Sequence, residues 1–154
     1  MEGMMTYKQS IQRFAQQLVG QQVQNISNKN PVVSIETTNG FVHAYTMVRF
    51  VHKEKLLFTS QQMFQEIDEQ NGTSNFDLLL QQHKQLFVGN RVVNVLANDI
   101  GDVAILLENK SRIEMYINSG ARQDIGLDQQ YSMFHKQDSA ELIVFANKKF
   151  HVNN

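Results

Sequence analysis

One stretch of this chain occurs twice, and that constrains its fold more than any other feature. Leu18-Val19-Gly20-Gln21-Gln22-Val23-Gln24-Asn25-Ile26 returns as Phe87-Val88-Gly89-Asn90-Arg91-Val92-Val93-Asn94-Val95, an offset of 69 from Gly20 to Gly89. Val-Gly, a Val three residues on, and Asn recur in register. After one inserted residue the offset becomes 70: Ile35 meets Ile105, Asn39 meets Asn109, Leu57 meets Leu127, and Met63-Phe64 meets Met133-Phe134. Self-similarity at such a period points to two like units packed on each other. The expectation is a single compact domain over 1–154 made of two tandem α-β-β-β repeats, about 6–72 and 73–152, related by a pseudo-twofold.

Local patterns divide the chain in the same way. Tyr7, Ile11, Phe14, Ala15 and Leu18 form one helical stripe, with Thr6 and Gln9 as a capping box and Gly20 placed for a left-handed cap. Phe76, Leu79, Leu80, His83, Leu86 and Phe87 repeat the stripe, between Ser74 and Gly89. These spacings predict helices over Tyr7 to Leu18 and Phe76 to Phe87, and a shorter one over Thr59 to Gln70. Strands are expected over Val32 to Thr37 and Phe41 to Phe50 around an Asn39-Gly40 hairpin turn. Further strands are Val103 to Leu107 and Arg112 to Ile117 around Asn109-Lys110, then Glu141 to Ala146 and Lys149 to Val152 around Asn147-Lys148. Turns this short join antiparallel neighbours, so the predicted class is α+β, mainly antiparallel sheet with helices on one face.

Composition removes several function classes. Fourteen Lys+Arg against fifteen Asp+Glu leave a net charge of −1, which supplies no field for nucleic acid or an anionic membrane. The absence of cysteine excludes disulfides, thiol catalysis and Cys-type metal sites, and is compatible with a cytoplasmic location. The apolar runs Val103 to Leu107 and Leu142 to Ala146 are far shorter than a membrane helix needs, and Met1 to Met5 does not read as a secretory signal. Eighteen Gln and fourteen Asn are interleaved with apolar positions, the pattern of a solvated surface rather than a low-complexity tract.

No phosphate-binding glycine loop, nucleophile elbow or zincin motif occurs. His43 and Tyr45, two apart on a strand, have a spacing that metal sites use, but a third ligand such as Glu36 would be needed. His83 reads as a core histidine. Glu108, Glu114, Asp124 and Asp128 lie beside turns, where water keeps carboxylates ordinary. Asn98-Asp99-Ile100-Gly101-Asp102 lacks calcium-loop spacing and reads as a turn. Arg49, His52, Lys53 and Lys55, interleaved with Phe50 and Phe58, have the composition of a single-strand binder but also that of a lysine-guarded sheet edge. No cofactor or metal is expected. The order of strand, Asn turn and strand in Asp102 to Ile117 resembles small bacterial proteins, some toxin-immunity proteins among them; the resemblance implies no function.

Two readings follow. In the first, the chain is a non-enzymatic interaction domain. Val103 to Leu107 and Leu142 to Ala146 are apolar on both faces, so a homodimer or another protein is expected to cover Leu106, Ile143, Phe145, Phe150 and Val152 in the C-terminal half. In the alternative, a small-molecule binder or motif-poor enzyme holds its ligand between the repeats, against His43, Tyr45, Glu114 and Tyr116.

Overall fold

The computed structural model describes residues 5–29, 31–68, 72–117, 129–146 and 149–153. Helix α1 (Tyr7–Ala15) starts where expected: the Thr6 hydroxyl accepts from the Gln9 amide, and the Gln9 side chain returns the bond to the Thr6 amide. It tightens into a 3-10 turn at Gln16–Leu18 and stops before Gly20, whose φ of +91° a side chain rarely adopts. Helix α2 (Asn75–His83) repeats this plan with Ser74 and Asp77 as its capping box, a 3-10 turn at Lys84–Leu86 and Gly89 at φ +93°.

The strands form two main sheets rather than one. In chain order they are β1 (Val23–Asn28), β2 (Val33–Thr37), β3 (Gly40–Ala44), β4 (Met47–His52), β5 (Lys55–Thr59), the short pair β6 (Glu66–Asp68) and β7 (Thr73–Ser74), β8 (Val92–Ala97), β9 (Val103–Leu107), β10 (Ser111–Tyr116), β11 (Gln129–His135), β12 (Ala140–Phe145) and β13 (Lys149–Asn153). The first sheet has the order β1-β2-β3-β11-β12-β13, and the second β5-β4-β10-β9-β8. Every pairing within them is antiparallel. Each sheet therefore joins a three-strand meander from one part of the chain to strands from the other. β3 pairs with β11 and β4 with β10, so neither meander is completed by the strand that follows it.

Two expectations change. The strand expected over Phe41 to Phe50 is two strands, because the chain leaves the first sheet at Tyr45-Thr46 and enters the second at Met47. The helix expected over Thr59 to Gln70 is a 3-10 turn at Ser60–Phe64 followed by β6; Met63 thus lies in a turn while Met133 lies in β11, and the Met-Phe pairs do not correspond. The helices lie at opposite edges of the second sheet: α1 is against β8 and reaches β12 of the first sheet through Tyr7, whose hydroxyl donates to the Phe145 carbonyl at 3.4 Å. Helix α2 packs on β5.

Inward-facing residues of both sheets and the two helices form one hydrophobic core. Phe50 stacks on Phe58 at 4.4 Å between centroids, and Phe76 and Phe87 meet this pair edge-on or tilted. All four rings are buried. Full burial of such a side chain stabilises by about 1.5–3 kcal/mol.

Where the sheets meet, β1 and β8 approach at their first residues. The Gly20 amide donates to the Val92 carbonyl at 2.8 Å, and the Gly89 amide to the Val23 carbonyl at 2.7 Å. Val23 donates to Asn90, and Val92 to Gln21. Gln22 pairs with Arg91 at the centre. The exchange continues outward: Thr38 donates to the Gln22 carbonyl and Glu108 to the Arg91 carbonyl, while the Gln22 and Arg91 amides donate to the side chains of Thr38 and Glu108. Val-Gly-x-x-Val is thus the sequence of a self-complementary contact.

Gly40 has a role the sequence did not suggest. The hairpin turn is Thr38-Asn39, with Gly40 already paired to Thr37 and lacking a positive φ. A Cβ at Gly40 would lie 1.8 Å from the Phe134 carbonyl oxygen. Glycine is needed there because β11 passes against it.

Candidate functional site

The space between the sheets is filled by Tyr131, Met133, Ile113, Met115 and their neighbours, so any site lies on the outer surface. Tyr131 is the largest buried side chain; its hydroxyl donates to the Gly101 carbonyl at 2.8 Å, and burial pushes its pKa well above the ordinary tyrosine value.

The four residues expected to line a ligand pocket are brought together only in part: Tyr116 adjoins Glu114 and shares a cleft with Tyr45, while His43 stands apart. His43, on β3, faces outward from the first sheet, stacked on Phe41 at 4.6 Å, with Phe41 in turn on Phe134 at 5.0 Å. Burial lowers its pKa below the ordinary histidine value, Glu141 opposing and Lys29 assisting. Its cross-strand neighbours are Ser34 and Ser132, whereas Glu36, the expected third ligand, stands opposite Phe41. Among the described residues no group of three or more His, Cys, Asp or Glu is placed to hold a metal.

Glu114 and Tyr116 face outward from the second sheet in a polar chain. Arg112 donates to Glu54 at 2.7 Å and to Glu114 at 2.8 Å, and the Tyr116 hydroxyl donates to Glu114 at 2.9 Å. The Arg49 guanidinium lies 4.6 Å from the Tyr116 ring centre. The hydrogen bond to Glu114 raises the Arg112 pKa, while burial, followed by Glu114, raises that of Tyr116. A hydroxyl held protonated beside an already paired carboxylate is a structural link, not a poised acid and base. Tyr45 does meet Tyr116, across a surface cleft of about 460 Å³ that also includes Met47, Met63 and Phe64. The Thr46 hydroxyl, at the corner between β3 and β4, donates to the carbonyl of Tyr116, the last residue of β10, and both residues line the cleft.

Other motifs resolve as structure. Glu108 accepts from the Arg91 amide and so belongs to the β1/β8 contact rather than to a pair with Glu114. Asn98 Oδ1 accepts from the amides of Ile100 and Asp102, making the expected turn, and Asp102 Oδ1 accepts from the Ile117 amide. Phe50 and Phe58 are core residues and so are not interleaved with the cations on the surface; the aromatic partner of Arg49 is Tyr116. Asp124, Asp128 and the Asn147-Lys148 turn lie outside the described residues. His135 is the histidine that sequence reasoning missed: it stacks on Phe14 at 4.6 Å, its Nε2 lies 3.3 Å from the Phe14 carbonyl, and its buried Nδ1 has no hydrogen-bond partner among the described residues.

The five candidate interface residues divide between two surfaces. Leu106 faces outward on the second sheet, in register with Arg112 and Asn94. Ile143 and Phe145 are half-buried on the outer face of the first sheet. Phe150 and Val152 lie on β13, which pairs with β12 on one side and is exposed at every position. β13 is the last strand in the sheet order, so among the described residues no strand pairs with its other side. Phe150 and Val152 stand beside Val144 and Leu142, continuing two core rows outward at 37% and 41% exposure. Phe150 meets the Tyr7 ring at 6.0 Å. Edge β5 of the second sheet, in contrast, has α2 packed against it. No described helix is long and apolar enough to cross a membrane. Comparison of the chain with protein-family models, curated proteins and solved structures finds no match in any of the three.

Proposed function

We propose that this chain is a non-enzymatic protein-interaction domain that works through the free edge of its first sheet, in the C-terminal half. The observation that carries the reading is β13, a strand exposed on both faces that extends core rows with Phe150 and Val152. An edge of this kind recruits a further strand through main-chain hydrogen bonds, while its apolar side chains supply selectivity. Natural sheets usually blunt such an edge with prolines or several charges; here only Lys149 does so. A reducing, cytoplasmic setting fits a chain without cysteine.

The same reading holds the domain to be a tandem duplication with a pseudo-twofold through Gln22 and Arg91. The reciprocal bonds of Gly20 and Gly89 support it, since an isologous contact makes residue i meet j and j meet i. The matching strand orders after the two glycines support it as well. The pairing of β3 with β11 and of β10 with β4 makes each half complete the other's sheet.

To test the interaction reading, the full chain is used as bait for polypeptides, a tagged copy of itself included, beside Val152→Lys and the control Leu56→Lys on β5. Capture lost in Val152→Lys and kept in Leu56→Lys is expected. Equal capture by all three baits, or by none, overturns the reading. The alternative, a small-molecule binder, draws on the cleft between Tyr45 and Tyr116; it predicts saturable ligand binding lost in Tyr116→Ala.

A further inference from the structure

Resting on the reading that β13 is an interaction edge, we infer that its partner is β13 of a second copy, paired antiparallel about His151. The inference comes from the strand's own sequence. An antiparallel twofold centred on His151 sets position 151 against itself, Phe150 against Val152 in both directions, and Lys149 against Asn153. Apolar meets apolar, polar meets polar, and neither lysine faces the other.

The neighbouring strand extends the match. β12 places Leu142 beside Val152 and Val144 beside Phe150. Across the twofold each core row therefore runs Leu142, Val152, then Phe150 and Val144 of the second copy. On the outer face Phe145 stands beside Lys149, and Glu141 beside Asn153. The corresponding row runs Phe145, Lys149, then Asn153 and Glu141 of the second copy, which brings the Lys149 ammonium within a side chain's reach of a carboxylate on the other molecule. This charge complementarity appears twice in the dimer. A foreign strand would need the same alternation by coincidence, whereas a second copy supplies it by symmetry. Two five-residue strands make a small contact, so association is expected in the weak range typical of such interfaces.

The absence of cysteine makes the register directly testable. Directly opposed residues in an antiparallel pair lie about 4.5–5.5 Å apart at Cα, inside the span of a disulfide. Under mild oxidation, His151→Cys should form a disulfide-linked dimer at least tenfold faster than Lys149→Cys, whose counterpart lies about four residues away along the strand. A mixture of Lys149→Cys and Asn153→Cys should cross-link where neither does alone. Circular dichroism and thermal transitions of each variant confirm that it is folded. Independently, light scattering of the unaltered chain should show the mass rising above 17.7 kDa as concentration increases from about 10 μM to about 1 mM, and Val152→Lys should abolish that rise. A mass constant at 17.7 kDa over this range, or equal cross-linking at 149 and 151, overturns self-pairing. If a foreign polypeptide is nonetheless lost in Val152→Lys and kept in Leu56→Lys, self-pairing falls while the interaction edge stands; if neither association depends on position 152, both fall.

Discussion

Replacing Gly40 by alanine tests whether the β3/β11 seam, which joins distant parts of the chain, depends on one missing side chain. Gly40 lacks a positive φ, so conformational freedom gives no reason for a glycine there. Reduced freedom of the unfolded chain would by itself make Gly→Ala stabilising by about 0.4–1 kcal/mol. Packing predicts the opposite sign. The new Cβ would stand 1.8 Å from the Phe134 oxygen, 2.9 Å from its carbonyl carbon and 3.3 Å from the His135 Cα. The obstructing atoms are backbone, so no rotamer change relieves the clash, and β3 must move off β11 by roughly 1.5 Å to reach an ordinary contact distance of about 3.4 Å. That displacement breaks the Gly40–His135 end of the ladder. Losing one or two backbone bonds at about 1 kcal/mol each, and loosening the packing of the buried His135, amounts to roughly 3 kcal/mol. Urea unfolding followed by far-UV circular dichroism is the assay. With a slope of about 2 kcal/mol per molar for a chain of this size, the midpoint should fall by about 1.5 M at unchanged slope. A variant as stable as the unaltered chain, or more stable, would refute the close approach and with it the reason for glycine at this position.

Gly20→Ala and Gly89→Ala should each cost about 1–2 kcal/mol and agree within about 0.5 kcal/mol, because a Cβ at either position meets nothing within 4 Å and only the positive φ resists it; unequal losses in matched denaturation curves would break the proposed equivalence of the two contacts. Burial, opposed by the Phe14 carbonyl and Asp138, lowers the His135 pKa below 6.5. The unfolded chain therefore binds this proton more readily, so stability should fall as pH drops below about 6.5 and level off below the lowered native pKa. His135→Phe, which keeps a ring against Phe14, should reduce that fall in denaturation curves taken from pH 7.5 to 4.5, leaving the share from His43, whose pKa burial also lowers; an undiminished fall would refute the assignment.

The parts of the fold that were legible are those fixed by residues close together in sequence. The helix starts at Thr6 and Ser74 are local hydrogen-bond arrangements: the Thr6/Gln9 capping box forms as its spacing indicates, and Ser74 caps α2, with Asp77 completing a box that was not foreseen. The left-handed stops at Gly20 and Gly89 are equally local. His43, Tyr45, Glu114 and Tyr116 were grouped on the premise of a pocket between the halves; the premise fails because the residues facing inward are large enough to fill that space. His135 escaped notice because its strand, Gln129–His135, is buried on both faces over much of its length and gives no alternation to read.

What the sequence could not reveal is the exchange of strands between the sheets, and the cause lies in periodicity itself. Val42, Ala44, Thr46, Val48 and Phe50 are all buried, so inward alternation continues without a phase break across the point where the chain leaves one sheet for the other. A period of two records which face of a residue meets the core and says nothing about which strand lies beside it. The corner costs little because both sheets face the same core: at Tyr45-Thr46 the amides of both residues bond to the Gln130 carbonyl, and the Thr46 hydroxyl bonds to the Tyr116 carbonyl. Strand choice is then settled by non-local fits such as Gly40 under Phe134. The exchange in turn gives β13 its place, since β12 pairs with β11 and β11 is held by β3, so the first sheet grows in the direction of the C-terminal strand. At β13 the core rows end on the exposed Phe150 and Val152 with no further described strand beside them, so the candidate interaction edge is a consequence of the topology rather than of any motif.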